Sequence, residues 1–324
     1  MSASTSICLC TYNGAEYLSE QLASISAQTR PPDEVIIGDD GSKDGTVEVV
    51  ERWASSVSVA VSIETRAVPL GRVANLESVL RRARSDIVFI CDQDDRWRPE
   101  KMEQMTRVLE SAPASAGAFC DSALIDEAGN PLAGSLWRTL RFGVAEQASV
   151  ATGAGFEVLL RRNVVAGHAL GFRRDKLDLL LPIPEIAHAD WWLALGLLID
   201  GGLVPLSDEL VEYRLHGANS VGLRSRTSLA RRITATNPRA RSITDAALLE
   251  EFRLRLERAR PGSLNDRDCD ALQAKIAHSL FRASLSSSRL GRIVPALRAL
   301  ASGDYRHWSN GWQSAFVDVL GPAR

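Results

Sequence analysis

The sequence lacks most of the features that would place a chain quickly. Its five cysteines, Cys8, Cys10, Cys91, Cys120 and Cys269, contain no CxxC pair. Three of them lie in strand-like apolar runs. An odd set so placed argues against a disulfide framework or a zinc knuckle, and suits reduced thiols in a reducing compartment. The N-terminus has no basic segment followed by an apolar stretch, so a secretory leader is not expected. The longest apolar run, Trp191 to Ile199, is too short to span a bilayer. No GxGxxG follows the first strand-like run and no GxxxxGK[ST] occurs anywhere, which makes dinucleotide-binding and P-loop readings poor. There is no internal repeat and no long low-complexity tract. A cytoplasmic protein is expected.

What is present is an ordinary globular balance: 324 residues, 45% hydrophobic and 24% charged. That length suits one large domain with an appendage, or two domains. The net charge of −2 hides an asymmetry: residues 1–223 carry 20 Lys/Arg against 31 Asp/Glu, and residues 224–324 carry 18 against 9. An acidic body and a basic tail point to two parts with two tasks, divided at 223/224.

Along the body, apolar runs at 7–9, 35–37, 57–63 and 87–91 read as strands. Helical spacing predicts helices over 15–28, 46–53 and 73–84 between them, the first ended by Pro31-Pro32. Strands alternating with helices predict an α/β fold: a three-layer α/β/α domain on a mostly parallel sheet. Further on, 116–120 and 167–173 are strand candidates, a helix follows to about residue 181, Pro182-Ile183-Pro184 breaks it, and another begins near Asp190. Residues 210–215 alternate as a strand, and from 226 onward the pattern is helical.

Ligands of parallel sheets bind beyond the carboxyl ends of the strands. After the first strand come Thr11-Tyr12-Asn13-Gly14, and after the second Asp39-Asp40-Gly41-Ser42. After the fourth comes Asp92-Gln93-Asp94-Asp95-Arg96-Trp97. Three carboxylates in one loop repel each other, and one takes up a proton unless a cation sits among them. A hard divalent ion with open positions for a diphosphate is the natural occupant.

Taken in order and spacing, Cys10 to Gly14, Asp39 to Thr46, Asn75 and Cys91 to Asp95 resemble the family 2 inverting glycosyltransferases of GT-A fold, over roughly the first 220 residues. Asp92 to Trp97, Asp190 to Leu195 and Tyr213 to Asn219 look most like the bacterial rhamnosyltransferase group, which builds O-antigens, capsules and rhamnose-containing wall glycans. The resemblance implies a dTDP- or UDP-sugar as donor, dTDP-rhamnose among them, and a glycan or lipid-linked oligosaccharide as acceptor.

Residue by residue, the resemblance gives Asp40 to the base, and Thr11, Tyr12 and Asn13 to base and ribose. Asn75 becomes a donor contact, Asp94 a metal ligand, and Asp92 a ligand of ribose or metal. Asp95 holds the loop or caps the next helix. His216 completes the metal site, where an imidazole suits Mn²⁺ better than Mg²⁺. Asp190 becomes the general base for the acceptor hydroxyl.

Each has a plainer reading. Asp40 and Asp190 could be helix caps, Asn75 a surface residue, and His216 a strand-end histidine. Trp191 and Trp192 could be core or one could stack on a sugar. Ala189 stands where the family often has His or Glu, with His188 one step earlier. Two other functions compete: a sugar-1-phosphate nucleotidyltransferase, which would want a basic Gly-rich loop after the first strand, and a non-catalytic nucleotide-sugar or glycan-binding module.

The tail places Arg231, Arg232, Arg239, Arg241, Arg253, Arg255, Arg258 and Arg260 among Leu, Ile and Ala at helical spacing. Docking on anionic lipid at the inner face of the cytoplasmic membrane, a bundle with its arginines in water, and a homo-oligomer interface all fit. Nucleic acid does not, since the body is acidic and few aromatics interleave.

Overall fold

A computed structural model describes residues 2–186, 188–217 and 237–322. These fall into two compact units, residues 1–155 with 164–219, and residues 156–163 with 220–324.

The first unit opens as the alternation predicts. β1 (Thr5–Thr11), β2 (Glu34–Asp39), β3 (Ala60–Thr65) and β4 (Ile87–Cys91) are separated by α1 (Ala15–Ser26), α2 (Thr46–Ala54) and α3 (Arg72–Arg82). β1 pairs in parallel with both β2 and β4, and β2 with β3. Ile7, Leu9, Val35, Ile37 and Phe89 share a core with Leu18, Leu22 and Ile25, the buried stripe of α1. Each such side chain contributes about 1.5–3 kcal/mol over leaving it in water. The helix stops two residues short of the predicted end because Gln28 turns inward, donating to Arg98 O at 2.9 Å and accepting from Met102 N–H at 3.0 Å. β3 begins later than its apolar pattern because its pairing is in register with β2, Glu34 opposite Ala60 through Asp39 opposite Thr65.

Beyond β4 come β5 (Arg96–Trp97), α4 (Lys101–Ser111), β6 (Gly117–Ile125), β7 (Pro131–Ser135), α5 (Leu136–Leu140) and α6 (Val144–Ala151). In the second unit, α7 (Phe156–Arg161) follows; the first unit resumes with β8 (Leu170–Arg173), α8 (Leu177–Leu180), α9 (Ala189–Ile199) and β9 (Leu203–Arg214). The sheet order is β3-β2-β1-β4-β8-β6-β9-β5, with β7 on β6. Parallel pairing holds through β4; β8 then runs antiparallel to β4 and β6, so the whole sheet is mixed. The predicted strand at 167–173 is a 3-10 turn, Gly167–Ala169, before β8. The helix expected to 181 is a single turn of α8 after a second 3-10 turn.

In the second unit, α7 joins α10 (Pro238–Ala259), α11 (Asp266–Ser284), α12 (Arg289–Ala301), α13 (Asp304–Trp308) and α14 (Trp312–Leu320). Its core is part polar: Asp318 accepts from Tyr305 Oη at 2.7 Å and Arg282 Nε at 2.6 Å. Arg253 and Arg255 pair with Glu250, Glu257 and Glu251 of their own helix. Arg231, Arg232 and the 223/224 boundary lie outside the described residues.

Gly38 sets how closely α3 seats on the sheet. A Cβ there would meet Asn75 Oδ1 at 2.6 Å and Val79 Cγ1 at 2.7 Å. Gly38→Ala is expected to destabilise the protein by about 1–3 kcal/mol, read as a lower urea midpoint at unchanged slope; an unchanged midpoint contradicts this packing.

Candidate active site

The carboxyl ends of β1, β2 and β4 open on one sheet edge, and their loops are stitched together. Thr11 Oγ1 donates to Asp39 Oδ2 at 2.8 Å, and Asp39 also accepts the Gly41 and Ser42 N–H groups at 3.1 and 2.8 Å. Asp39 therefore serves the turn. Asp40 is left facing elsewhere, and its two oxygens accept Leu70 N–H at 2.7 Å and Gly71 N–H at 2.9 Å. It does not cap α2, where Thr46 N–H reaches Asp44 at 3.2 Å. Asn13 sits at a left-handed φ of 46°. Its N–H donates to Ser42 Oγ and its Oδ1 accepts Lys43 N–H, both at 2.8 Å. Tyr12 is exposed, and its N–H donates to Gln93 Oε1 at 2.8 Å. Asn75 is not a surface residue: it is buried, its Nδ2 donates to Gly38 O at 2.8 Å, and its Oδ1 has no hydrogen bond.

The three acids of the β4 loop have separate surroundings. Asp95 is fully buried; its Oδ1 accepts Arg214 N–H at 3.0 Å and its Oδ2 lies 3.3 Å from His168 Nδ1. It holds the loop to β9 and does not cap α4. Burial, against the charge of His168 and with the like charges of Asp94 and Asp92, pushes its carboxyl up to about 7. Asp92 has a half-exposed side chain whose Oδ2 lies 3.7 Å from the same His168 nitrogen. Asp94 Oδ2 lies 2.8 Å from His216 Nε2, and burial plus the charge of Asp92 push the Asp94 carboxyl above its ordinary value. Arg214, almost wholly buried, binds Asp94 O at 2.9 Å, Glu127 O at 2.9 Å and Glu20 Oε2 at 2.7 Å.

Two groups of donor atoms could hold a cation. Asp92, Asp95 and His168 place one ligand atom each within 4.8 Å of one another. Asp95 is sealed and already bonded to the backbone of Arg214, so that group offers little room for water or diphosphate. Asp94 and His216 are an oxygen and a nitrogen 2.8 Å apart. Neighbouring ligands of an octahedral ion with bonds of about 2.1 Å are themselves about 3 Å apart. Their chemistry and spacing fit a borderline divalent ion.

Asp190 lies in the first turn of α9, opposite the same edge. Its Oδ1 accepts Trp191 N–H at 2.9 Å, so it does part of the work of a cap. Gly167 runs alongside it: a Cβ there would lie in ordinary contact distance of Asp190 Cβ, 3.9 Å, and Ile90 Cγ2, 3.7 Å. Burial pushes the Asp190 carboxyl up, against the pull of the Trp191 N–H, His188 and Arg72. Trp191 and Trp192 belong to the core, with Trp192 Nε1 donating to Leu180 O at 2.7 Å.

Sequence reasoning missed His168, Lys101, Arg214 and Arg72. His168 falls inside what reads as a strand, and Lys101 and Arg72 look like ordinary helix-start charges. Arg214 was in plain view between Tyr213 and His216. Ala218 and Asn219, which end that motif, lie outside the described residues.

Residues 6–174 match the model of the family described as Glycosyl transferase family 2. A protein of Mycobacterium tuberculosis is 29% identical over 219 residues, 65% of this chain and 58% of its own, so the chain spans less than two thirds of that relative. A Bacillus subtilis glycosyltransferase named for teichuronic acid biosynthesis is 26% identical over 122 residues, 38% of this chain and 48% of its own. A mannosyltransferase of Pyrobaculum calidifontis, solved with GDP-Man and Mn²⁺, superposes with a TM-score of 0.57 at 20% identity, covering 99% of this chain and 87% of that one. At that identity the likeness is one of fold.

The Asp40 carboxylate holds the amides of residues 70 and 71. Asp40→Ala should speed amide exchange at Leu70 and Gly71 roughly 10–100-fold, the equivalent of losing a charge-assisted hydrogen bond. Unchanged protection of these amides would show that the loop is held by other contacts.

Proposed function

The chain belongs to glycosyl transferase family 2, and from that membership we propose that it is a metal-dependent, inverting enzyme. It moves a sugar from a nucleoside-diphosphate donor to a glycan or lipid-linked acceptor in cell-surface polysaccharide synthesis. The observation that carries this reading is the meeting at one sheet edge of a carboxylate–imidazole pair, Asp94 with His216, and a partly buried carboxylate, Asp190, on a separate element.

Asp40 would accept the imide N–H of uracil or thymine, with Thr11, Tyr12 and Asn13 around base and ribose and Asn75 as a further donor contact. Asp94 and His216 would hold Mn²⁺ or Mg²⁺, and Asp92 the ribose or the same ion. Such an ion, when bound, supplies positive charge for the departing diphosphate. Asp190 takes the proton of the acceptor hydroxyl as that oxygen bonds to the anomeric carbon and the bond to the diphosphate breaks on the opposite face. For the donor we propose a dTDP- or UDP-sugar, dTDP-L-rhamnose first, on the strength of the Asp92–Trp97 and Tyr213–His216 segments.

We also propose that the helical unit docks on an anionic membrane surface. None of the described helices is long and apolar enough to cross a membrane. α12, however, exposes Leu290, Ile293, Val294 and Leu297 at i, i+3, i+4, i+7 spacing, with no acid in the helix and exposed Arg289 and Arg298 beside them. α14 adds exposed Trp312 and Phe316. Apolar side chains with flanking arginines match the acyl boundary and the headgroups of such a surface.

Three measurements test these readings. Asp94→Ala should abolish Mn²⁺-dependent donor binding while leaving the fold intact, and full activity in excess chelator would refute metal dependence. Asp190→Asn should lose roughly 10²–10⁴-fold in rate with donor affinity nearly unchanged. A base works ionised, so wild-type kcat/KM should fall as pH drops through a value above the ordinary carboxylate range, and the Asn variant should lack that limb. Near-wild-type transfer by Asp190→Asn would assign the base elsewhere. Leu290→Ser/Leu297→Ser should lose salt-sensitive co-sedimentation with anionic vesicles; equal binding by variant and wild type, or self-association through this face without lipid binding, counts against docking.

A further inference from the structure

His168 is buried directly behind the carboxylate loop, with a neighbour on each side. Nδ1 lies 3.3 Å from Asp95 Oδ2 and 3.7 Å from Asp92 Oδ2, ion-pair distances without a hydrogen bond to Asp95 Oδ2. Nε2 is 3.0 Å from Ser122 Oγ, so the far side of the ring is fixed by β6. Tyr213 of β9 stacks on it, ring centres 4.7 Å apart and planes 21° off parallel. Its backbone carbonyl accepts a 2.6 Å hydrogen bond from Lys101 Nζ.

Lys101 is itself unusual. It is fully buried in the first turn of α4, its ammonium lies 3.3 Å from the centre of the Trp97 ring, and among the described residues it has no carboxylate within 4 Å. Buried lysines without an ion pair are rare because the charged head is costly to remove from water. Here the charge sits beneath the acids of the β4 loop and ties down the turn that carries His168.

We propose that His168 is a positioning residue: its imidazole, locked by Ser122, Tyr213 and the Lys101 tether, sets the placement of Asp92 and Asp95 and with it the loop on which Asp94 meets His216 to take the cation. The inference rests on the metal-dependent reading above and adds to it a device in this chain's own core. Outer groups of this kind commonly set metal affinity by about 10–100-fold.

The test is Mn²⁺ alone, titrated into the full chain and followed by the electron paramagnetic resonance of free and bound ion. His168→Leu should weaken binding about 10–100-fold. His168→Asn keeps an N–H donor near the Nδ1 position and should recover most of the loss, whereas His168→Gln, whose amide reaches toward Ser122, should not. Lys101→Met should weaken binding in the same direction, and the Lys101→Met/His168→Leu pair should lose less than the sum of the two, because one acts through the other. The nitrogen coupling of bound Mn²⁺ should persist in His168→Asn and vanish in His216→Gln.

Wild-type protein that binds no Mn²⁺ overturns the metal reading and this one with it. Wild-type affinity in His168→Leu, or equal loss in Asn and Gln variants, overturns the positioning role alone. Nitrogen coupling that vanishes with His168 and survives without His216 makes His168 a metal ligand instead. If His168→Leu does not fold, the Asn and Gln pair decides.

Discussion

Three carboxylates within four residues of a buried strand end are the constraint around which the first unit is arranged. Left alone, they would take up protons or pull the loop into water. Asp95 shows the pressure directly, its carboxyl pushed to about 7 chiefly by burial. Its Oδ2 lies 3.3 Å from His168 Nδ1 and makes no hydrogen bond. Attraction at that distance is set against a desolvation cost of several kcal/mol per ion. The pair therefore adds little net stability. What it supplies is position, and the same holds for Arg214, whose donors reach β4's loop, the β6–β7 turn and α1 together.

The rest of the edge is built to the same end. Parallel β1, β2 and β4 bring three polar loops side by side, and Asp39, Asn13 and Gln93 bind these loops to one another. Asp40 is thereby free of the turn and ties down residues 70 and 71, just before Arg72. The antiparallel β8 and the long β9 then return to this edge, bringing His168 from one side and Arg214 and His216 from the other. Asp190 arrives on α9, beside Gly167. On the proposed reading, the groups for nucleotide, cation and base come from different stretches of chain. Transfer between two substrates needs that separation.

Much of this was legible in the residues, for physical reasons. β1 to β4 carry short apolar runs with helical spacing between them, and such patterns survive because both faces of the sheet are covered. The Asp94–His216 pair could be anticipated only through resemblance, since no spacing rule links residues so far apart. The mixed half of the sheet was obscure: β5 has two residues, β7 is mostly exposed, and β8 continues a 3-10 turn. His168 and Lys101 could not be found at all from sequence, because a buried titratable residue looks like a surface one until its neighbours are known. In the tail, the pairing of Arg253 and Arg255 with glutamates one turn away and the exposed apolar stripe of α12 become visible only with the helices in place.

The central claim is a single displacement, with Asp190 on one side of the anomeric carbon and the departing diphosphate on the other. The most direct measurement is the anomeric configuration of the first-formed product. It should be read by proton NMR, using whichever UDP-, dTDP- or GDP-sugar releases nucleoside diphosphate with this protein and Mn²⁺. The account predicts a glycoside of configuration opposite to the donor's. A product that keeps the donor's configuration would contradict it.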